Sequence, residues 1–163
     1  MSSADDWIAI QNAIATYVIA VDTRDIDLFD IVFTPDAKIE LANTGTFDPA
    51  SYGSLCRENL AQLDGTQHHL GLPAINIDGD IAHARTYFVA QHSLNALAPD
   101  PHLVIGGWYD DTLARTAVGW RITHRTGTAV WFDGNPNVLG YAFPTGAAPR
   151  GPGHAAPGWL RRG

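Results

Sequence analysis

The chain predicts an α+β domain in which a curved antiparallel sheet folds around N-terminal helices and encloses a pocket. Two observations predict it: apolar residues recur at helical spacing up to about residue 63, and after Gly65 they follow strand-like runs. A third is punctuation, because Asp78-Gly79-Asp80 and Val118-Gly119 separate these runs as hairpin turns would.

Residues 5–21 read as the first helix, with Trp7, Ile10, Ile14, Tyr17, Val18 and Val21 on one stripe and Ser2, Ser3 or Asp5 as caps. Asp25 or Asp27 opens a short second helix carrying Leu28, Ile31 and Val32, which Thr34-Pro35-Asp36 ends. Ala37–Leu41 reads as a short strand. Asp48-Pro49 then has the form of an N-cap followed by proline at the first helical position, and the third helix runs to about Leu63 with Tyr52, Leu55, Cys56 and Leu60. Long strands are expected near 66–77, 81–97, 102–116 and 119–133. The organisation is one domain over residues 1–135. A Gly/Pro-rich tail over 136–163 is expected to wrap the surface or a neighbouring subunit, or to be partly disordered.

With 163 residues, 45% apolar and 17% charged, the chain has the length of one domain and enough apolar material for a core. A net charge of -7 argues against nucleic-acid or anionic-membrane partners, which select a basic face. No apolar run approaches the ~18 residues of a membrane span. The N-terminus is acidic where a signal peptide is basic, and Cys56 is the single cysteine, so a cytoplasmic location is expected. The sequence contains no phosphate-binding glycine loop, no Cys cluster and no H-x-x-x-H pair, so neither a cofactor nor a metal is expected. Ser54 and Cys56 lack a triad signature, which disfavours covalent catalysis.

Five residues carry the candidate chemistry. Asp22 continues the Ile14-Val18 stripe at a helix C-terminus, where the helix dipole opposes its charge; it is either a solvated turn residue or a carboxylate aimed into the pocket to hold a base. His68 and His69 open the first long strand, and alternation allows only one of them to face inward. Histidine is the natural base near neutrality, and a carboxylate beside it fixes its tautomer. Tyr17 is either a core residue or a phenol that donates to a carbonyl or to a departing oxygen. In Trp120-Arg121-Ile122-Thr123-His124-Arg125, alternation places Arg121, Thr123 and Arg125 on one face, and an inward Arg125 needs a counter-charge. His83, His92 and His102 read as surface or packing residues.

In order and spacing, several stretches between residues 5 and 135 resemble the SnoaL-like branch of the nuclear-transport-factor-two-like superfamily. They are Ile14-Ala15-Thr16-Tyr17-Val18-Ile19-Ala20-Val21-Asp22, Phe33-Thr34-Pro35-Asp36-Ala37, Gln67-His68-His69-Leu70, Asn76-Ile77-Asp78-Gly79-Asp80-Ile81-Ala82, Gly106-Gly107-Trp108-Tyr109-Asp110-Asp111 and Trp120 to Arg125. The resemblance implies a cone-shaped α+β barrel. Within the superfamily the sequence is most similar to lyases with an Asp–His pair: scytalone dehydratase, bile-acid 7α-dehydratase and hexachlorocyclohexane dehydrochlorinase. It implies Asp22, His69 and Tyr17 as catalytic residues, with His69 preferred over His68 because Leu70-Gly71 falls in step with the motif, and Arg125 as a substrate-binding residue.

The implied activity is a cofactor-independent, dehydratase-type lyase on a hydrophobic cyclic or aromatic small molecule, with retro-aldol loss of an aldehyde as a variant. The alternatives are isomerase or polyketide-cyclase proton transfer, or a non-catalytic ligand carrier or dioxygenase small-subunit-like protein. The dehydrochlorinase pattern has Lys where Tyr17 stands and Trp where Ile39 stands, which argues against dehydrochlorination. Relatives of this kind imply a homo-oligomer, a trimer or a dimer.

Overall fold

The structure, a computed structural model, describes residues 4–41, 44–140, 146–147 and 154–161. It is an α+β fold of helices packed on a curved sheet. The first helix, α1 (Ala4–Thr23), buries Ile10, Ile14, Tyr17, Val18 and Val21, as their spacing predicts. Trp7 departs from that stripe and is 39% exposed. The inward position one turn before Ile10 is Asp6, whose carboxylate accepts from Arg115 Nη2 at 2.9 Å and from the Trp120 indole N–H at 3.1 Å. This polar clamp, rather than an apolar contact, fixes the start of the helix to the sheet.

A single 3-10 turn (Ile26–Leu28) leads into α2 (Phe29–Val32). Its inward residues are Ile26, Phe29 and Val32, and Ile31 faces solvent, because the tighter turn rotates the buried face away from the one α-helical spacing suggests. Strand β1 (Phe33–Leu41) begins directly after α2 and contains Pro35 in an irregular stretch between the paired residues Phe33 and Lys38. The short β2 (Gly45–Phe47) pairs back on β1. In α3 (Pro49–Ala61), Asp48 caps the helix as expected: its Oδ1 accepts from the Ser51 amide at 2.8 Å, and Ser51 Oγ accepts from the Asp48 amide at 3.2 Å.

The remaining strands are β3 (Gly65–Leu70), β4 (Ala74–Asp78), β5 (Ile81–Ser93), β6 (His102–Thr116), β7 (Gly119–Gly134) and β8 (Gly146–Ala147). The run expected at 66–77 is thus two strands, split by Gly71-Leu72-Pro73, which pair with successive halves of β5. Asn95–Leu97, expected at the end of a strand, forms a 3-10 turn. The turns at Gly79 (φ 60°) and Gly119 (φ 109°) need the left-handed backbone that glycine adopts without penalty.

The main path of the sheet is β2-β1-β7-β6-β5-β3, with β4 on β5 and β8 on β7. Two expectations are corrected here. The sheet is mixed, because β1 runs parallel to β7, while its other described pairs are antiparallel. Helices rather than a hairpin lead into β1, so no tight turn dictates its direction. The sheet also curls without closing into a barrel, since β2 and β3 remain as separate ends of its path.

A bulge in β7 sets the positions of later residues. Thr112 pairs with His124 but Leu113 pairs with Ile122, so Thr123 is the extra residue. The alternation read from the sequence therefore reverses at this point, and Trp120, Ile122 and Arg125 all face inward. On the convex face, the Arg85 guanidinium donates to the Ala155 carbonyl at 3.0 Å, and Trp159 stacks on His83 at 6.2 Å. The described end of the tail thus lies on the chain's own sheet.

Candidate active site

The concave face of the sheet, with α1 and α3 against it, bounds a cavity of about 200 Å³. Alternation along β5 sends Phe88, Ala90 and His92 into it, and α3 contributes Tyr52, Leu55, Cys56 and Leu60 from one face. Its walls are mostly apolar; Thr44 and Asn59 are among the polar side chains that break them, and the others form two groups.

The first group is built around Asp22 and His68. Nδ1 of His68 lies 2.7 Å from Oδ1 of Asp22, and the His68 backbone amide donates to Oδ2 at 2.8 Å. An ionised carboxylate only accepts, so Nδ1 carries the proton and the lone pair resides on Nε2. The tautomer suited to a base is thereby fixed. The carboxylate sits at the end of α1, where the helix dipole disfavours it, and the two donors from β3 offset that cost. The helix stops there because Arg24 turns left-handed (φ 64°), and its Nη2 donates to the Leu63 carbonyl at 2.7 Å, tying the turn to the end of α3.

The pairing expected from the sequence is therefore corrected by one residue. Asp22 meets His68, not His69. The pleat turns the His69 side chain to the convex face, where it lines a separate groove with Tyr87, Trp108 and Trp131. In the folded chain Leu70 shares the face of His68 and packs against the core, whereas Gln67 and His69 are exposed.

Sequence reasoning also missed His92. Its ring stands edge-on to that of His68, with centroids 5.8 Å apart, and it is 8% exposed. Burial, reinforced by His68, pushes its pKa down to about 4, so it is neutral at physiological pH. Its Nδ1 has no hydrogen-bond partner among the described residues. Period-two reading back from Phe88 and Ala90 gives its direction.

The second polar group is phenolic. The hydroxyls of Tyr17 and Tyr52 are 2.6 Å apart, and both residues line the cavity with Tyr109. Burial raises the pKa of all three, for Tyr52 and Tyr109 well above the ordinary phenol value, so they stay protonated. For Tyr17 the positive charge of Arg125 and the hydroxyls of Tyr52 and Tyr109 act in the opposite direction. Burial pushes the neighbouring Cys56 thiol up to about 11, which leaves it a poor nucleophile.

Arg125 faces inward, as the functional reading required, but it does not line the cavity. It is fully buried beneath the phenols, with its guanidinium carbon 4.1 Å from the Tyr17 ring centroid and 4.4 Å from that of Tyr109. Asp111 supplies the counter-charge through two bonds of 2.7 Å, from Nε and Nη2. The expectation that Arg125 contacts a substrate is corrected by this packing: aromatic rings lie between its charge and the cavity.

Comparison with known proteins agrees with this architecture. An uncharacterized protein of Mycobacterium tuberculosis is 35% identical over 134 residues, covering 78% of this chain and 88% of its own. The terrestric acid biosynthesis cluster protein E of Penicillium crustosum is 32% identical over 141 residues, covering 83% and 90%. Among solved structures, a candidate aromatic ring hydroxylase from Novosphingobium aromaticivorans superposes with a TM-score of 0.75 at 26% identity over 85% of this chain and 99% of its own. A candidate scytalone dehydratase from the same organism gives 0.72 at 18% identity over 89% and 94%. The hexachlorocyclohexane dehydrochlorinase of Novosphingobium barchaimii gives 0.70 at 17% identity over 84% and 92%. The last two speak to the fold alone. Residues 2–126 match the model of the SnoaL-like domain, and with relatives at this identity and coverage the chain belongs to the SnoaL-like domain family.

Proposed function

We propose that the chain is a cofactor-independent lyase that eliminates water from a hydrophobic cyclic β-hydroxy carbonyl compound, with His68 as the base. One observation carries this reading: a histidine whose tautomer is set by a carboxylate stands in the wall of a mostly apolar cavity. Nε2 of His68 takes the proton from the carbon next to the carbonyl. The C–H electron pair becomes the new C=C bond as the C–O bond to the hydroxyl breaks. Asp22 stabilises the imidazolium formed, as an oriented carboxylate does.

The tyrosines take the other role. Because burial holds Tyr17 and Tyr52 protonated, they serve as hydrogen-bond donors to the carbonyl on which negative charge develops, rather than as acids. The proton that leaves with the hydroxyl then comes from His68 itself, so water departs and the histidine returns to its neutral form. Membership of the SnoaL-like domain family, on a fold shared with a candidate scytalone dehydratase, is compatible with this chemistry and names no substrate. The exposed convex face around Tyr87 and Trp131 supports self-association, which light scattering reads directly.

The test is mass spectrometry on a panel of cyclic β-hydroxy ketones with wild type and His68→Ala. Loss of one water in wild type, reduced ~10²–10⁴-fold in the variant, is expected. An unchanged mass with altered retention assigns an isomerase, and a released aldehyde a retro-aldolase. No turnover together with a large copurifying partner assigns a non-catalytic subunit.

A further inference from the structure

We propose that this cavity selects an uncharged molecule of about one ring and rejects both carboxylates and multi-ring compounds. The selection names the substrate class for the elimination proposed above and rests on that reading for its chemistry, but it is read from the cavity itself.

Size gives the first half. An apolar cavity of about 150 Å³ holds one benzene. The volume here, about 200 Å³, admits a single ring with one or two small substituents. Its far walls are the aromatic side chains of Phe88, Tyr109 and Phe132, each less than 10% exposed, and the tight stacking of Phe88 on Tyr109 (centroids 4.5 Å apart) leaves little room for a second ring to be gained by repacking.

Charge gives the second half. No lysine or arginine is among the described residues that line the cavity. The near guanidinium, Arg125, is screened by the Tyr17 and Tyr109 rings and neutralised by Asp111. Asp22 places a negative charge directly behind His68, and the neighbouring His92 is neutral. A carboxylate entering this space loses its hydration, meets no counter-charge and faces a carboxylate across one imidazole, which is costly. A cation gains little, since both Asp22 oxygens already accept from His68. What remains is a neutral ligand with an acceptor for the phenols and a hydroxyl near the imidazoles, and the remaining polar lining side chains, Thr44 and Asn59, are likewise uncharged.

Three unreactive probes test this by titration calorimetry on the wild-type protein: cyclohexanone, cyclohexanecarboxylate and testosterone. Cyclohexanone is expected to bind at least tenfold more tightly than either of the others and to shift the ring-proton NMR signals of His68. Equal or tighter binding of the carboxylate overturns the charge argument, and equal or tighter binding of testosterone overturns the size argument. Absence of binding by all three overturns the proposal. Leu55→Lys, at a half-buried lining position on α3 from which the ammonium can snorkel, is expected to gain carboxylate binding at least tenfold; a variant still blind to it counts against charge as the filter. The outcomes separate the two readings. Selective binding without turnover of any β-hydroxy ketone removes the lyase reading and leaves the selection. Turnover with unselective binding does the reverse.

Discussion

Asp22 holds His68 by two bonds from one residue, the ring Nδ1 and the backbone amide, and each carboxylate oxygen takes one of them. The imidazole is thus fixed in both tautomer and position, and its neighbour in sequence, His69, points to the other side of the sheet.

That division predicts opposite outcomes for two adjacent alanine substitutions. His68→Ala should lose ~10²–10⁴-fold in turnover, the usual contribution of a positioned base. His69→Ala should stay within a few-fold of wild type. Equal losses at both positions, measured on the substrate found by the mass-spectrometric screen, would contradict the assignment of the base.

Asp22→Asn tests orientation rather than charge alone. The amide can present its NH₂ to Nδ1 and so favour the other tautomer, with the proton on Nε2. Nitrogen NMR of the ring should report protonated Nδ1 in wild type and a mixed or reversed tautomer in the variant, with a fall in kcat larger than any change in KM. An unaltered tautomer would assign Asp22 a merely structural role.

The phenol pair predicts graded losses. Removing one donor from an oxyanion site costs ~10²-fold or more in kcat. Tyr17→Phe should approach that figure, because its hydroxyl is also tuned by Arg125; Tyr52→Phe should cost less, as Tyr17 keeps its own proton. The reverse ranking in steady-state kinetics would place the main donor on α3.

His92 predicts acid sensitivity. Its folded pKa of about 4 lies below the ordinary 6.5, so between these values the unfolded chain binds the proton and the folded chain does not. Stability contributed by the neutral ring is present above the unfolded value and lost as pH falls through this window, by up to ~1.4 kcal/mol per pH unit. Urea melts at pH 7 and pH 5 should show the loss in wild type and a shallower pH slope in His92→Phe. An identical slope would remove His92 as its source.

Arg125 and Asp111 form a fully buried pair, and breaking such a pair leaves an uncompensated charge. Arg125→Met should lower the unfolding free energy by ~3–5 kcal/mol in urea titrations. A variant of unchanged stability would mean that the ring stack, not the ion pair, holds this layer.

Much of the frame was legible because local rules sufficed for it. The Asp48-Pro49 cap, the glycine turns at 79 and 119, and the apolar stripes of α1 and α3 depend on neighbours within a few residues. Asp22 and Tyr17 were found because they sit on the stripe of one helix. The strand pair β3 and β4 was read as one run because Gly71-Leu72-Pro73 interrupts the strand without a strong turn signal.

The sequence by itself determined the helix-then-strand order, the helix carrying Asp22, and the fact that one of two histidines faces inward, since these follow from short-range periodicity and capping. Only the tertiary structure decided which histidine that is, for the pairing of β3 with β5 sets which face of β3 meets the end of α1. It likewise decided that Arg125 lies beneath the phenols, because the bulge at Thr123 appears only when β6 and β7 pair, and one inserted residue exchanges the two faces of a strand.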